Sequence, residues 1–353
     1  MVAAMLKKLP CLMVGLLLAS GACKKEKKPA PAAEPPVATA TDTAEKPPEP
    51  APQPSAEEAE KQKKIEENAK ALKEIEEAAA KETARFTEDL KKQSADLVAK
   101  QFKDSKNGLK AVLASPHRMP GHADRDKFRH PLETLTFFGI KPNMTVVEVG
   151  IGDGWYTEIL APLLAHDGKF IAASYDPNGP PESGRTVYGK QAQLFLAKSP
   201  ELFGKVEVSM INPPDNIGLG PDGSADLVVA MREMHNWQRR KVIDNWLAGI
   251  NKVLKMGGKL GVEQHRAAKG ANVEETADKG YLPEEWLIAK IESAGFKLEA
   301  KSEVNANKKD TKDYPKGVWT LPPNYAEEDK DKDKYTAIGE SDRMTLRFVK
   351  VKK

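Results

Sequence analysis

The stretch Glu148-Val149-Gly150-Ile151-Gly152-Asp153-Gly154-Trp155 follows a short apolar run and opens a segment with helical spacing. Its glycines permit positive φ and let a ligand approach the backbone closely. In an open α/β sheet such a turn lies at the carboxyl end of a strand, where ligands bind. The helix beyond it offers unpaired N–H groups to a carboxylate or phosphate. Dinucleotide-binding turns want G-x-G-x-x-G, whereas the spacing here is G-x-G-x-G with an acid two residues ahead of the first glycine. Two further runs carry groups able to do chemistry: Arg232-Glu233-Met234-His235-Asn236-Trp237 and Glu263-Gln264-His265-Arg266. Arg232 and Arg266 suit an anionic group, and His235 and His265 suit removal of a proton, because imidazole titrates near neutrality. Each histidine also fits a purely structural role, His235 beneath the following helix and His265 against backbone groups. His117, His122 and His130 lie among Asp124 and Asp126, but their spacing matches no compact pattern such as H-E-x-x-H, and no metal is expected. That segment reads as a polar flap over the ligand mouth, with Arg125, Asp126 and His130 facing it.

The elements that must position these residues alternate along the chain. Apolar runs stand at Thr145–Gly150, Lys169–Tyr175, Val206–Asn212, Ala225–Met231, Lys259–Gln264, Lys297–Val304 and Met344–Val351. Helical spacing falls at Trp155–Ala165, Gly189–Lys198, Gln238–Leu254 and Pro283–Ala294. The run Ala225–Met231 is apolar without alternation, as in a strand buried on both faces of a parallel sheet. The alternation predicts a doubly wound, mostly parallel α/β sheet of seven strands, over residues 104–353. Residues 305–342 form a polar insertion between the last two strands, of a length expected for a lid or a disordered loop.

The glycine-rich turn with its preceding acid resembles motif I of the class I S-adenosylmethionine-dependent methyltransferases. The runs Arg129-His130-Pro131-Leu132-Glu133-Thr134-Leu135, Glu263-Gln264-His265-Arg266 and Lys309 to Trp319 are similar to a subgroup of bacterial methyltransferases that often carry export signals. The resemblance covers about residues 115–353 and implies a Rossmann-like methyltransferase fold with S-adenosylmethionine as cofactor. It implies that Glu148, Gly150, Gly152 and Gly154 hold the methionine end. Asp176, at the end of the second strand, matches the acid that grips the ribose hydroxyls; it also fits a turn residue in Asp-Pro-Asn-Gly. Asn212, in a loop after the third strand, is placed to touch the adenine. The implied acceptor is a small molecule or a protein side chain, with His235 and His265 as catalytic groups and Arg232, Arg266 and Trp319 as acceptor-binding ones.

The rest of the chain is of another kind. Residues 1–23 have a basic start at Lys7 and Lys8, an apolar run Leu9–Ala19, then Ser20-Gly21-Ala22-Cys23. The run is too short to span a bilayer, which takes roughly 20 apolar residues. The segment resembles a lipoprotein export signal, implying a lipidated Cys23 and an exported protein anchored to a membrane; a plain secretory signal is the other reading. Residues 24–56 are rich in Pro and Ala and read as an extended linker. Residues 57–103 are charged and helical, with Ile65, Leu72, Ala79 and Phe86 every seven residues: a solvated single helix or a weak coiled coil. Across the 353 residues, 55 Lys and Arg against 52 Asp and Glu leave a formal charge of +3, so nucleic acid is not an expected partner. Two cysteines exclude a disulfide scaffold. Two function classes stay open: a tethered methyltransferase, and a tethered ligand-binding module that kept the fold without the reaction.

Overall fold

In the computed structural model, which describes residues 55–352, the seven apolar runs pair into one sheet. The strands are β1 (Thr145–Val149), β2 (Lys169–Tyr175), β3 (Glu207–Ile211), β4 (Ala225–Met231), β5 (Leu254–His265), β6 (Phe296–Ser302) and β7 (Arg343–Lys350), in the order β3-β2-β1-β4-β5-β7-β6. Neighbours among β1 to β5 are parallel, and β7 lies antiparallel between β5 and β6. This is the doubly wound, mostly parallel, Rossmann-like seven-stranded arrangement that the sequence predicts. The chain leaves β1 for β2 on one side and returns to β4 on the other, so a crevice opens at the carboxyl end of β1.

The helices are α1 (Ala56–Arg85), α2 (Glu88–Val98), α3 (Ser105–Leu113), α4 (Asp126–Arg129), α5 (Pro131–Phe138), α6 (Thr157–Leu164), α7 (Gly184–Ala197), α8 (Pro200–Phe203), α9 (Met234–Arg239), α10 (Ile243–Val253), α11 (Val273–Asp278), α12 (Glu284–Ser293) and α13 (Lys332–Ile338). They cover both faces of the sheet, which explains the unbroken apolar run of β4. Leu227 and Val229 pack into one core with Leu109, Leu135, Phe138 and Ile159; Val228 and Ala230 pack into the other with Trp246, Leu247, Ile250 and Leu287. Each such Val or Leu contributes about 1.5–3 kcal/mol by leaving water.

Three sequence expectations change. The charged segment 57–103 is neither one helix nor solvated throughout. Its seven-residue stripe, with Asn68, Ile75 and Glu82 buried in the intervening places, faces the domain itself. Asn68 Nδ2 donates to Pro181 O at 2.8 Å, Lys61 pairs with Glu182 at 3.1 Å, and Phe86 and Leu90 join the core on the β1 face. The folded body therefore begins well before residue 104. The span Gln238–Leu254 is two helices, because α9 closes at Lys241, which sits at φ 57. Lys241 N bonds Gln238 O and Val242 N bonds Trp237 O, the reciprocal pattern of a helix stop that glycine usually marks. Stacking of Trp237 on Trp246 at 4.6 Å pins the corner. The insertion 305–342 is folded, with a short 3-10 turn at Gly317–Thr320, the helix α13 and a small core of Tyr314, Leu321 and Tyr335. The export signal, Cys23 and nearly all of the Pro-rich linker lie outside the described residues.

Candidate functional site

The carboxyl ends of β1, β2 and β4 wall a cleft of about 430 Å³. Its floor is Val149 to Gly152, its sides are Ala173 to Tyr175 and Ser183 to Arg185, and Glu233, Asn236, Trp237, Arg239 and Arg240 close it. Gly150 and Gly152 stand at φ 76 and φ 58, so an L side chain at either would be strained. A Cβ at Gly150 would come within 3.4 Å of the Glu233 carboxyl carbon. The turn therefore presents bare backbone to the cleft, open at Gly152 and facing the Glu233 side chain at Gly150.

The other motif residues sit elsewhere. The period-two alternation of β1 turns Glu148 away from Val149 and toward α6. There Thr157 Oγ1 donates to Glu148 Oε2 at 2.6 Å, and burial pushes the carboxyl up to about 8. Glu148 thus pins the strand to the first turn of α6 from beneath. Gly154, at φ 79, packs under the ring of Phe195. Asp176 is exposed, and its Oδ1 accepts from Asn178 N at 2.8 Å, the turn geometry of Asp-Pro-Asn-Gly; it is not part of the cleft wall. Asn212 also lies outside the wall. Its Oδ1 accepts from Arg185 Nη1 at 3.3 Å, and Arg185 Nη1 donates to Pro213 O at 2.6 Å, so this loop positions a guanidinium that does line the cleft.

The structure brings forward residues that the motif did not single out. Glu233, directly after β4, faces the glycine turn, and burial pushes its carboxyl up to about 7 against the opposing pull of Asn236 and Arg240. Arg185, Arg239 and Arg240 give the cleft a basic rim. The signal for Glu233 was in the sequence: an acid at a strand end that the fold class places beside the glycine turn.

His235 and His265 do meet, with ring centroids 5.6 Å apart. Trp319 stands 5.9 Å from His235 and Tyr281 6.3 Å from His265. Gln264 Nε2 lies 3.2 Å from His235 Nδ1, and His265 Nδ1 lies 2.6 Å from Ser341 Oγ. Burial pulls His235 down to about 3 and His265 well below the ordinary range. Neutral rings so reluctant to gain a proton are weak bases at neutral pH, and neither lines the cleft. The two arginines expected to bind an anion there are taken up by carboxylates. Arg232 pairs with Glu263 at 3.1 Å, and Arg266 pairs with Glu303 at 2.7 Å, Glu284 at 3.4 Å and Asp342 at 3.7 Å.

The segment 117–130 is tied to α6 and to the insertion. His117 Nε2 lies 2.7 Å from Glu158 O, His122 Nδ1 lies 2.8 Å from Glu158 Oε1, and His130 Nδ1 lies 3.2 Å from Asn305 Oδ1. Arg125 Nε donates to Glu340 at 2.7 Å. Among the described residues, no group of three or more His, Cys, Asp or Glu is arranged to hold a metal ion.

Neither a family model nor a curated protein sequence matches the chain. Solved structures do resemble it at low identity. A SAM dependent methyltransferase from Aquifex aeolicus is 19% identical, with 71% of this chain and 100% of that chain covered and a TM-score of 0.41. The [4+2]-cyclase SpnF is 16% identical over 63% of this chain and 81% of its own, with a TM-score of 0.45. Geranyl diphosphate C-methyltransferase from Streptomyces coelicolor A3(2), solved with Mg2+, geranyl diphosphate and S-adenosyl-L-homocysteine, is 12% identical over 72% of this chain and 87% of its own, with a TM-score of 0.42.

Proposed function

We propose that this chain is an S-adenosylmethionine-dependent methyltransferase, exported and held at a bacterial membrane by acyl groups on Cys23, that acts on a small molecule or a protein side chain. The observation that carries the reading is the cleft itself. Gly150 and Gly152 hold positive φ at its floor, and its volume of about 430 Å³ lies within the range of small-ligand sites. The residues present fit the cofactor: open backbone at the glycines, a carboxyl at Glu233 and guanidinium groups at Arg185 and Arg240. Glycine N–H groups and the arginines would take its carboxylate, and Glu233 its ammonium. When bound, S-adenosylmethionine supplies a methyl group on a sulfonium, open to in-line displacement. The chain's own contribution is then orientation and the exclusion of water. The second reading, a tethered ligand-binding module, draws on the placement of His235 and His265 outside the cleft.

Titration calorimetry of the full chain with S-adenosylmethionine and S-adenosylhomocysteine separates the fates of these readings. Low-micromolar binding is expected for the natural chain and none for Gly152→Arg, whose side chain would fill the floor. A folded natural chain that gives no binding heat with either ligand would sink the methyltransferase reading and leave the binding module. The anchor has its own test. A fatty-acid probe fed to cells is expected to label the natural chain and not Cys23→Ser; equal labelling of both, or none, removes the anchor.

A further inference from the structure

Asp153 leads from the glycine turn into a second cluster of charge. Here four guanidinium groups meet three carboxylates among the described residues. Glu340 accepts from Arg125 Nε at 2.7 Å, Arg129 Nε at 3.3 Å and Arg343 Nη1 at 2.7 Å. Glu263 takes Arg232 Nη1 and Arg343 Nε, each at 3.1 Å, and the Tyr156 hydroxyl at 2.8 Å. Asp153 is a loose third carboxylate, with Oδ2 3.8 Å from Arg125 Nη1 and 3.9 Å from His122 Nε2. Two buried guanidinium nitrogens of the cluster lack a hydrogen-bond partner among the described residues: Arg343 Nε, which still lies 3.1 Å from Glu263, and one on Arg129. Arg129 is only 5% exposed, and its Nη1 has no hydrogen-bond partner among the described residues. Buried cations are normally paired, and an unmade hydrogen bond on a buried donor is expensive. The cluster is not sealed, since the side chains of Arg125 and Arg232 are 16% and 19% exposed and that of Asp153 is 43% exposed. Arg232 stands in the left-handed region at φ 61, a conformation that non-glycine residues keep mainly where the site demands it.

We propose that Arg125, Arg129 and Arg232 form an oxyanion site that holds a carboxylate or phosphate group of the methyl acceptor beside the glycine turn. The planar fork of a guanidinium matches either group in a bidentate way. The site adjoins the cleft along the chain: Arg232 precedes Glu233 and Asp153 follows Gly152, and Glu233 and Gly152 line the cleft. An anion bound here would complete Arg129 Nη1 and balance the excess positive charge. Burial and the neighbouring Arg232 draw Arg129 down to about 9 in spite of Glu340 beside it. The role of the bound group as acceptor rests on the methyltransferase reading; the binding of an oxyanion does not.

The test is titration of the full chain with inorganic phosphate and, separately, with acetate. Saturable binding of at least one is expected, weakened about tenfold or more in Arg125→Gln and in Arg129→Lys, which keeps the charge and loses the fork. Binding should persist in Arg185→Gln, whose guanidinium belongs to the cleft. Tighter phosphate than acetate would point to a phosphorylated acceptor, and the reverse to a carboxylate. Arg125→Gln keeps the test usable if the buried Arg129 variant fails to fold. The proposal is overturned by the absence of saturable binding of both ions to the natural chain, or by undiminished binding in Arg125→Gln. S-adenosylhomocysteine titrated into the same proteins tells the two readings apart. Its retention in Arg125→Gln would place the loss at the oxyanion site, and its failure on the natural chain would remove the methyltransferase reading while the oxyanion result stood.

Discussion

A Glu263→Gln chain is expected to lose about 3–5 kcal/mol of unfolding free energy. Glu263 is fully buried near the end of β5 and bridges two elements that meet only in the folded state. Its carboxylate faces Arg232 after β4 and Arg343 at the start of β7, and accepts from Tyr156. The amide keeps the shape and removes the charge, which takes from Arg232 its ion-pair partner and leaves the buried Arg343 with Glu340 alone. Burial alone would raise the Glu263 carboxyl, but Arg232 and Arg343 outweigh it and hold it below the ordinary carboxylate range. Its contribution to stability is therefore complete above the ordinary carboxylate value and is lost as pH falls through the lower folded value. Urea unfolding of both proteins at neutral pH measures the gap, and the same experiment in acid should show it close. An exposed control, Lys92→Ala, breaks the Lys92–Asp96 pair and should leave the midpoint unmoved. A Glu263→Gln midpoint as unmoved as the control's would show that the buried network carries no stability.

Gly154→Ala is the second large effect, at about 2–5 kcal/mol. Two costs add. The residue stands at φ 79, where an L side chain is strained. A Cβ there would also lie 2.2 Å from two atoms of the Phe195 ring, closer than any real contact. The ring has little room to withdraw, since it packs on Phe203 at 5.1 Å and under Lys198 Nζ at 4.0 Å. The double variant with Phe195→Ala separates the costs. Relief of the steric part should make the pair less destabilising than the sum of the singles, while the φ cost stays. Simple additivity would show that the ring is not the obstacle.

The chemistry was less legible than the fold, and the reason lies in what side-chain position depends on. β2 and β4 run where their apolar patterns place them, Lys169–Tyr175 and Ala225–Met231, because a strand buried on both faces writes its length into consecutive residues. The glycine turn was equally legible, because positive φ is a demand on one residue at a time. The break at Lys241 was not, because a lysine holds a left-handed position that glycine usually marks. The stripe of α1 was visible as a stripe, but its partner, α7, lies about a hundred residues along the chain.

For the site, the residue types and the end of the sheet followed from sequence alone: three glycines after β1, and histidines after β4 and at the end of β5. Which of them face the cleft was decided by tertiary structure. Alternation along β1 sent Glu148 to Thr157; the Asp176 carboxylate closed its own turn; Arg266 found carboxylates from three separate segments; and Arg185, Arg239 and Arg240 entered the cleft from helices whose rotation no motif records. Local pattern sets backbone conformation and burial, because those are properties of a few neighbouring residues. The partner of a charged side chain is set by whichever opposite charge the packed elements carry to within about 4 Å, and that is a property of the whole chain.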